Sequence, residues 1–176
     1  MIKKIKNAIL KARLKTGSNN LRITHLRKTG VKIGENCLIY TIRFSTEPYL
    51  IEIGNHVAIA GGTVFITHDG SAWLFRDKYP NMTVFGKIKV GNNTFIAMNC
   101  TILPNTEIGS NCIIGAGSVV RGIIPDNSVV MGNPAKIIMK TNVVEKMIIN
   151  SRHRVDTKHM DPKERKMAIL KHYGNT

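Results

Sequence analysis

The chain has 176 residues, 43% of them hydrophobic, and it carries 26 Lys and Arg against 11 Asp and Glu, a net charge of +15. This length and composition predict one soluble globular domain. No apolar run approaches the roughly 18 residues of a membrane span, and Ala8 to Leu10 is too short for the core of a signal peptide. We therefore expect a cytoplasmic protein.

The positive charge is concentrated at the two ends of the chain. The net charge is +9 for residues 1–30, +2 for residues 31–140 and +4 for residues 141–176. Neither end interleaves basic and aromatic residues as single-stranded nucleic-acid binders do. The pattern therefore predicts no nucleic-acid partner.

Residues 1–30 are predicted to form a basic helical segment. Read as a helix, residues 1–15 place Ile2, Ile5, Ile9 and Ala12 on one stripe, with lysines around most of the rest. A basic amphipathic helix either packs on the body of a protein or lies on an anionic membrane surface. Residues 1–15 are thus a candidate for peripheral contact with the inner face of a membrane.

Aliphatic residues recur every six positions through the middle of the chain. They are Val90, Ile96, Ile102, Ile108, Ile114 and Val120, with the same phase upstream at Ile33, Ile39, Ile53, Ile59 and Phe65. A small residue follows four positions after each member of the downstream run: Thr94, Cys100, Thr106, Cys112 and Ser118. A period of six fits neither a helix nor an ordinary strand, and it predicts a repeat architecture. We interpret residues 31–140 as a parallel β-helix whose units each point one aliphatic side chain inward.

The three cysteines fit this repeat as structural residues. Cys37, Cys100 and Cys112 form no CxxC pair, and the last two occupy the small-residue position. They are expected to be buried small side chains. We expect neither a disulfide framework nor a metal site.

The rhythm breaks between Phe65 and Val90, which predicts a loop over residues 68–88. This loop begins with "HDG" at residues 68–70 and contains the only tryptophan, Trp73. Long excursions from a regular scaffold are more often functional than not. After the coil, residues 141–176 are predicted to be mostly helical, with Asp161-Pro162 at the start of the last helix.

The motifs "IGAGSVV" at 114–120 and "PDNSVVMGNPAKII" at 125–138 resemble those of the left-handed β-helix hexapeptide acyltransferases. That family includes maltose and galactoside acetyltransferases, xenobiotic acetyltransferases and O-acetyltransferases of bacterial surface polysaccharides. The resemblance covers about residues 31–140. It implies an all-β core formed by a left-handed parallel β-helix, flanked by terminal α-helices, in a homotrimer that uses acetyl-CoA.

His68 is the candidate catalytic base. An imidazole titrates near neutral pH, so it can take a proton from an attacking hydroxyl and return it to a leaving thiolate. The resemblance matches His68 to the family's loop histidine, whereas His56 is expected to be exposed and inert. Glu47, about one coil earlier, is a candidate to orient His68 or hold the acceptor, and Asp69 is an alternative orienting group.

The resemblance implies that acetyl-CoA binds in a groove between two subunits. The family motif maps its contacts onto Ala97, Met98, Ala116, Arg121, Gly122 and Lys136. Small residues would let the pantetheine arm lie close to the backbone, and Arg121 and Lys136 would pair with phosphates. Met98 stands where relatives often have Ser, and Arg121-Gly122 replaces a Thr-Lys pair.

The resulting prediction is an O-acetyltransferase that acetylates a sugar hydroxyl in bacterial surface polysaccharide biosynthesis. One alternative is a xenobiotic acetyltransferase with a small-molecule acceptor of the chloramphenicol type. Another is a non-enzymatic β-helix protein. A zinc carbonic anhydrase on the same coil would need three histidine ligands, and the coil region offers only His56 and His68.

Overall fold

The computed structural model describes Leu10, Ala12, Leu14 and residues 16–174. Two 3₁₀ turns occupy Pro48–Leu50 and Gly70–Phe75. The helices and strands in chain order are α1 (Asn19–Lys28), β1 (Lys32–Ile33), β2 (Leu38–Ile39), β3 (Ile51–Ile53), β4 (Ala58–Ile59), β5 (Val64–Phe65), β6 (His68–Asp69), β7 (Val84–Phe85), β8 (Ile88–Val90), β9 (Phe95–Ile96), β10 (Thr101–Ile108), β11 (Ile113–Ile114), β12 (Val119–Ile124), β13 (Ser128–Gly132), β14 (Ala135–Lys140), α2 (Thr141–Ile149) and α3 (Pro162–His172).

The short strands stack into three faces of one coil. Face A consists of β1, β3, β8 and the second halves of β10 and β12. Face B consists of β2, β4, β9, β11 and β13, and β14 closes its end by pairing antiparallel with β13. Face C consists of β5 with the first residues of β10 and β12. The other pairings within these faces are parallel, which confirms the predicted parallel coil of six-residue units with helices at both ends of the chain.

The aliphatic repeat forms the core because each inward side chain lies on its equivalent in the next coil. Val90 pairs with Ile108, Ile96 with Ile114 and Ile102 with Val120, a step of 18 residues and hence three units of six. All six are buried. Each such burial stabilises the fold by about 1.5–3 kcal/mol. The three cysteines are also buried and free, and burial raises the pKa of the Cys100 and Cys112 thiols.

Each turn of the coil has three corners, which we name by the faces they join: AB, BC and CA. Corner AB is regular and tightly stacked. Asn93 and Asn111 there adopt φ of 51° and 57°, left-handed values that asparagine tolerates, and Asn93 Nδ2 donates to Asn111 Oδ1 at 2.8 Å. A Cβ on Gly91 would lie 2.6 Å from the carbonyl carbon of Gly109 in the next coil. Only glycine therefore fits at position 91 without a shift of the backbone.

Helix α1 covers the exposed edge of the first coil. Asn19 Oδ1 accepts from Ile39 N at 2.8 Å, and Asn19 Nδ2 donates to Cys37 O at 2.8 Å. Arg22 Nε donates to Ile39 O at 2.6 Å. An open strand edge would leave these backbone groups unpaired, so α1 both satisfies them and protects β2 from pairing with another chain.

Residues 142–174 form a second compact unit. Helix α3 begins as predicted, because Asp161 accepts from the backbone N–H of Lys163 and Glu164 while the Glu164 carboxylate accepts from Asp161 N. His172 Nε2 lies 2.8 Å from Arg152 O, which ties the end of α3 to the preceding loop.

No helix within the described residues is long and apolar enough to cross a membrane. The basic amphipathic helix predicted for residues 1–15 lies mostly outside the described residues. Its contact with a membrane surface stays a prediction.

Candidate active site

The excursion predicted from the broken rhythm leaves the coil at corner CA. Strand β6 pairs antiparallel with β7, so His68 faces Phe85 and Asp69 faces Val84. Gly86 N donates to Thr67 O at 2.7 Å and returns the chain to the coil, where Ile88 is already buried. The excursion therefore starts and ends beside His68.

His68 lies directly against a carboxylate from the preceding coil. His68 Nδ1 is 2.9 Å from Glu47 Oε2, and Thr46 Oγ1 is 3.4 Å from the same ring nitrogen. The side chain of His68 is 44% exposed, whereas that of Glu47 is 16% exposed. The carboxylate is therefore shielded while the ring remains accessible to a substrate.

Hydroxyl groups surround the Glu47 carboxylate on its other sides. Thr46 Oγ1 donates to Oε1 at 2.6 Å and Thr67 Oγ1 donates to Oε2 at 2.8 Å. Ser45 Oγ lies 2.7 Å from Thr67 Oγ1 and 3.4 Å from Oε2. The bond from Thr46 above all, with those from His68 and Thr67, outweighs the opposing effect of burial and lowers the pKa of Glu47 from 4.5 to about 2.

This anion determines which ring nitrogen of His68 is free. An ionised carboxylate only accepts hydrogen bonds, so the contact with Glu47 requires a proton on Nδ1. In the neutral ring, Nε2 then carries the lone pair. The arrangement can hold an imidazole base in one tautomer and one orientation.

Asp69, the alternative orienting group, has other partners. Its Oδ1 accepts from Ser71 N at 2.9 Å and caps the Gly70–Phe75 turn. Its Oδ2 lies 4.0 Å from an Arg121 guanidinium nitrogen. The bond from Ser71 and the nearby charge of Arg121 lower the pKa of Asp69. Of the two carboxylates, only Glu47 is within hydrogen-bond distance of the ring.

The six candidate donor contacts do not share one corner within a chain. Ala97 and Met98 lie at corner BC beside Ala116, since Gly117 N donates to Met98 O at 2.9 Å. Arg121 lies at corner CA and Gly122 begins face A, after strand β12 has crossed face C from corner BC. Lys136 is on β14, opposite Met131.

Ser45, Thr46 and Thr67 are site residues that the sequence analysis missed. Ser45 and Thr46 precede Glu47 in "STE", and Thr67 precedes His68 in "ITH". The two segments occupy the same corner of successive coils, because Phe44 pairs with Phe65. The sequence signal that could have revealed them is a pair of segments with hydroxyl side chains, one after the core residue Phe44 and one after the core residue Phe65.

The other coil histidine has a structural environment. His56 lies at corner AB with φ of 54°, exposed, and its Nδ1 is 2.7 Å from Asn93 Oδ1. Among the described residues, no group of three or more His, Cys, Asp or Glu side chains could hold a metal ion.

Comparisons with known proteins agree with the hexapeptide-repeat coil. Residues 87–122 match the family described as bacterial transferase hexapeptide (six repeats). A Staphylococcus aureus protein named CapG is 43% identical over 160 residues, covering 89% of this chain and 92% of that protein. A putative lipopolysaccharide biosynthesis O-acetyl transferase of Escherichia coli, WbbJ, is 35% identical over 100 residues, covering 52% of this chain and 51% of WbbJ.

A solved structure supports the same fold. The maltose O-acetyltransferase from Clostridium difficile superposes with a TM-score of 0.55 and 26% identity, covering 76% of this chain and 83% of that one. The similarity to CapG extends over nearly the whole of both proteins, and the repeat match falls on the coil. This chain therefore belongs to the hexapeptide-repeat acetyltransferase family.

Proposed function

We propose that this protein transfers an acetyl group from acetyl-CoA to a sugar hydroxyl, with His68 as the general base. The observation that carries the proposal is the 2.9 Å contact between His68 Nδ1 and Glu47 Oε2, which leaves Nε2 as the proton acceptor. Geometry favours Glu47 over Asp69 as the group that orients the ring, because Asp69 caps the adjacent turn.

The reaction needs one proton to move twice. As the acceptor oxygen attacks the thioester carbonyl carbon, His68 Nε2 takes the hydroxyl proton, and Glu47 stabilises the resulting imidazolium. The tetrahedral intermediate collapses with cleavage of the C–S bond, and His68 returns the proton to the CoA thiolate. The products are an acetyl ester and free CoA. A backbone N–H would stabilise the oxyanion.

The donor site is proposed to require two subunits of a homotrimer of left-handed coils. Ala97, Met98 and Ala116 form a surface of short side chains and one thioether at corner BC, where a pantetheine arm can approach the backbone. The other proposed contacts lie outside corner BC. Positive charge would come from Arg121 and Lys136, and Gly122 would leave the backbone accessible. A groove between corner BC of one subunit and corner CA of its neighbour would bring the two groups together.

The outward surfaces of faces A and B differ, and the surface of face B supports such an assembly. Face A presents a column of alternating charges, with Lys89 Nζ 3.3 Å from Glu107 Oε1. Face B instead presents Leu38 and Phe95, each about half exposed, with Ile113 in the same column. Contiguous apolar surface of this kind is typical of contacts between protein chains.

The acceptor is proposed to be a sugar of a bacterial surface polysaccharide or its precursor. The support comes from what the relatives are named: an O-acetyltransferase of maltose at 26% identity, and a putative lipopolysaccharide O-acetyl transferase at 35% identity over half its length. The excursion from residue 68 to residue 85 lies beside His68 and would read the acceptor.

The test is release of CoA thiol from acetyl-CoA by wild type, His68→Ala and the control His56→Ala, over a panel of sugars, sugar phosphates and small-molecule alcohols. We expect release that requires a sugar-containing acceptor and His68 but not His56. Release only with a small-molecule alcohol would show that the acceptor is a xenobiotic and not a sugar. Equal rates for wild type and His68→Ala would remove His68 from the mechanism.

A further inference from the structure

A cleft lies beside the first coil, outside the residues assigned to the reaction. It is lined by Leu14, Arg22, Tyr40, Thr41, Ile42, Arg43 and Gly62, and its volume is about 220 Å³. Pockets that enclose a whole drug-sized ligand occupy roughly 300–1,000 Å³, so this cleft suits one group of a larger molecule. None of the described residues that line it is acidic.

Arg22 brings an uncompensated positive charge to this cleft. Arg22 is only 6% exposed, and its guanidinium donates to the carbonyls of Ile39 and Gly17 at 2.6 Å. The Tyr40 ring lies 5.3 Å from the guanidinium carbon. No ion pair among the described side chains includes Arg22. Carbonyl dipoles satisfy hydrogen bonds, but a buried charge is best compensated by an opposite charge.

Arg43 places a second guanidinium at the same cleft. This residue is exposed, and its side chain makes no hydrogen bond or ion pair with the described residues. An accessible arginine beside a buried one, with Tyr40 lining the same cleft, provides several donors for a phosphate.

The cleft is within reach of the proposed active site of the same chain. Phe65 N donates to Arg43 O at 2.9 Å, and His68 is three positions after Phe65, at most about 11 Å of chain. Along the coil axis, Arg43 is one coil before His68, whereas Arg121 is two coils after it. An anion bound at Arg43 would therefore lie on the opposite side of His68 from one bound at Arg121.

We propose that this cleft binds the phosphate of a phosphate-linked sugar and thereby selects a charged acceptor over the free sugar. This inference rests on the proposed acetyl transfer to a sugar hydroxyl. The phosphate lies between Arg22, Arg43 and Tyr40, and the sugar extends along face C toward His68 Nε2. Nucleotide-linked and lipid-linked sugars share this phosphate chemistry, so both belong to the class.

The first experiment measures binding without turnover, so it stands apart from the proposed reaction. Inorganic pyrophosphate is titrated by calorimetry into wild type, Arg43→Gln and the control Lys28→Gln, each with saturating CoA to occupy the proposed donor site. Lys28 is an exposed cation on α1 that does not line the cleft. Loss of the Arg43 donors is expected to weaken pyrophosphate about 10- to 100-fold, with no change for Lys28→Gln. Equal affinities in all three proteins would overturn the proposal.

The second experiment compares kcat/KM for glucose, glucose 1-phosphate, UDP-glucose and a polyprenyl-phosphate-linked glucose in detergent micelles. Wild type should prefer phosphate-linked acceptors, and Arg43→Gln should lose that preference while its rate with free glucose stays unchanged. The better of the last two substrates identifies the source of the phosphate. If wild type and Arg43→Gln both turned over glucose and its phosphate-linked forms at equal rates, the proposed acetyl transfer would stand. The proposed phosphate site in the cleft would be refuted.

Arg43 is exposed, so its replacement leaves the core unchanged, whereas Arg22 also closes the edge of the first coil. Tyr40→Phe provides a second variant that keeps the ring above Arg22 and removes only the hydroxyl. It is expected to weaken pyrophosphate about threefold to tenfold. Full affinity in both Arg43→Gln and Tyr40→Phe would exclude the cleft as the site.

Discussion

Corners AB and CA belong to the same coil, and each carries an accessible histidine in a different environment. At corner AB the chain turns within a few residues, and His56 continues a ladder of polar side chains with Asn93 and Asn111. At corner CA the ladder is replaced by an excursion, and His68 contacts a shielded carboxylate instead of an amide. The comparison shows that the regular coil places side chains at every corner, whereas the candidate catalytic residues occur where the repeat is interrupted.

The largest expected effect separates the two histidines. His68→Ala removes the proposed base and should lower kcat by about 10²- to 10⁴-fold, the usual contribution of general acid–base catalysis. His56→Ala removes only a hydrogen bond at an exposed corner and should change kcat less than about twofold. Steady-state CoA release with a saturating acceptor measures both. Similar losses in the two variants would show that the corners do not differ in function.

A smaller effect is expected from Glu47→Gln, which keeps the size of the side chain but removes its charge. An amide N–H can donate to Nδ1, so the proton of the neutral ring would move to Nε2, the atom that must accept. We expect kcat to fall about 100-fold, the cost of a misplaced reacting group, with little change in the KM for acetyl-CoA. A large rise in the KM for the acceptor with normal kcat would instead assign Glu47 to acceptor binding.

The low pKa of Glu47 also predicts how stability depends on pH. This carboxyl has a pKa of about 2 in the folded protein against an ordinary 4.5, so its ionised form favours the native state. That contribution is fully present above pH 4.5 and is lost as the pH falls toward 2. The difference in Tm between wild type and Glu47→Gln should therefore shrink between pH 5 and pH 2. A constant difference in Tm over that range would contradict the conclusion that the folded protein favours the ionised form of Glu47.

The sequence predicted the coil because its core repeats at a fixed period. Aliphatic residues six apart, with small residues in between, leave few architectures in which each side chain can be buried. The same regularity located the excursion, since a missing unit is visible against a periodic background. His68 was a candidate because it begins that interruption, and Glu47 was a candidate because it lies about one coil before His68.

The rest of the site depends on contacts between residues on different coils. Ser45 and Thr67 meet only because Phe44 pairs with Phe65, and no spacing rule within one repeat reveals that register. Glu47 and Asp69 were both candidates in the sequence, and the structure distinguishes them because Glu47 lies 2.9 Å from the His68 ring whereas Asp69 caps the adjacent turn. Arg22, in a basic segment, gave no sign that it would be buried beneath Tyr40.

The smallest effects are expected from two glycines, one at each corner. Gly91→Ala at corner AB would bring a Cβ within 2.6 Å of the Gly109 carbonyl carbon, and the stacked coils would have to separate. Overpacking of this kind costs about 1–3 kcal/mol. Gly70→Ala in the excursion meets no atom within 4 Å and requires no unusual backbone angle, so Tm should stay unchanged or rise slightly. Thermal unfolding of both variants distinguishes a corner that stacking constrains from one that it does not, and an equal loss in both would mean that the excursion is packed as tightly as the coil.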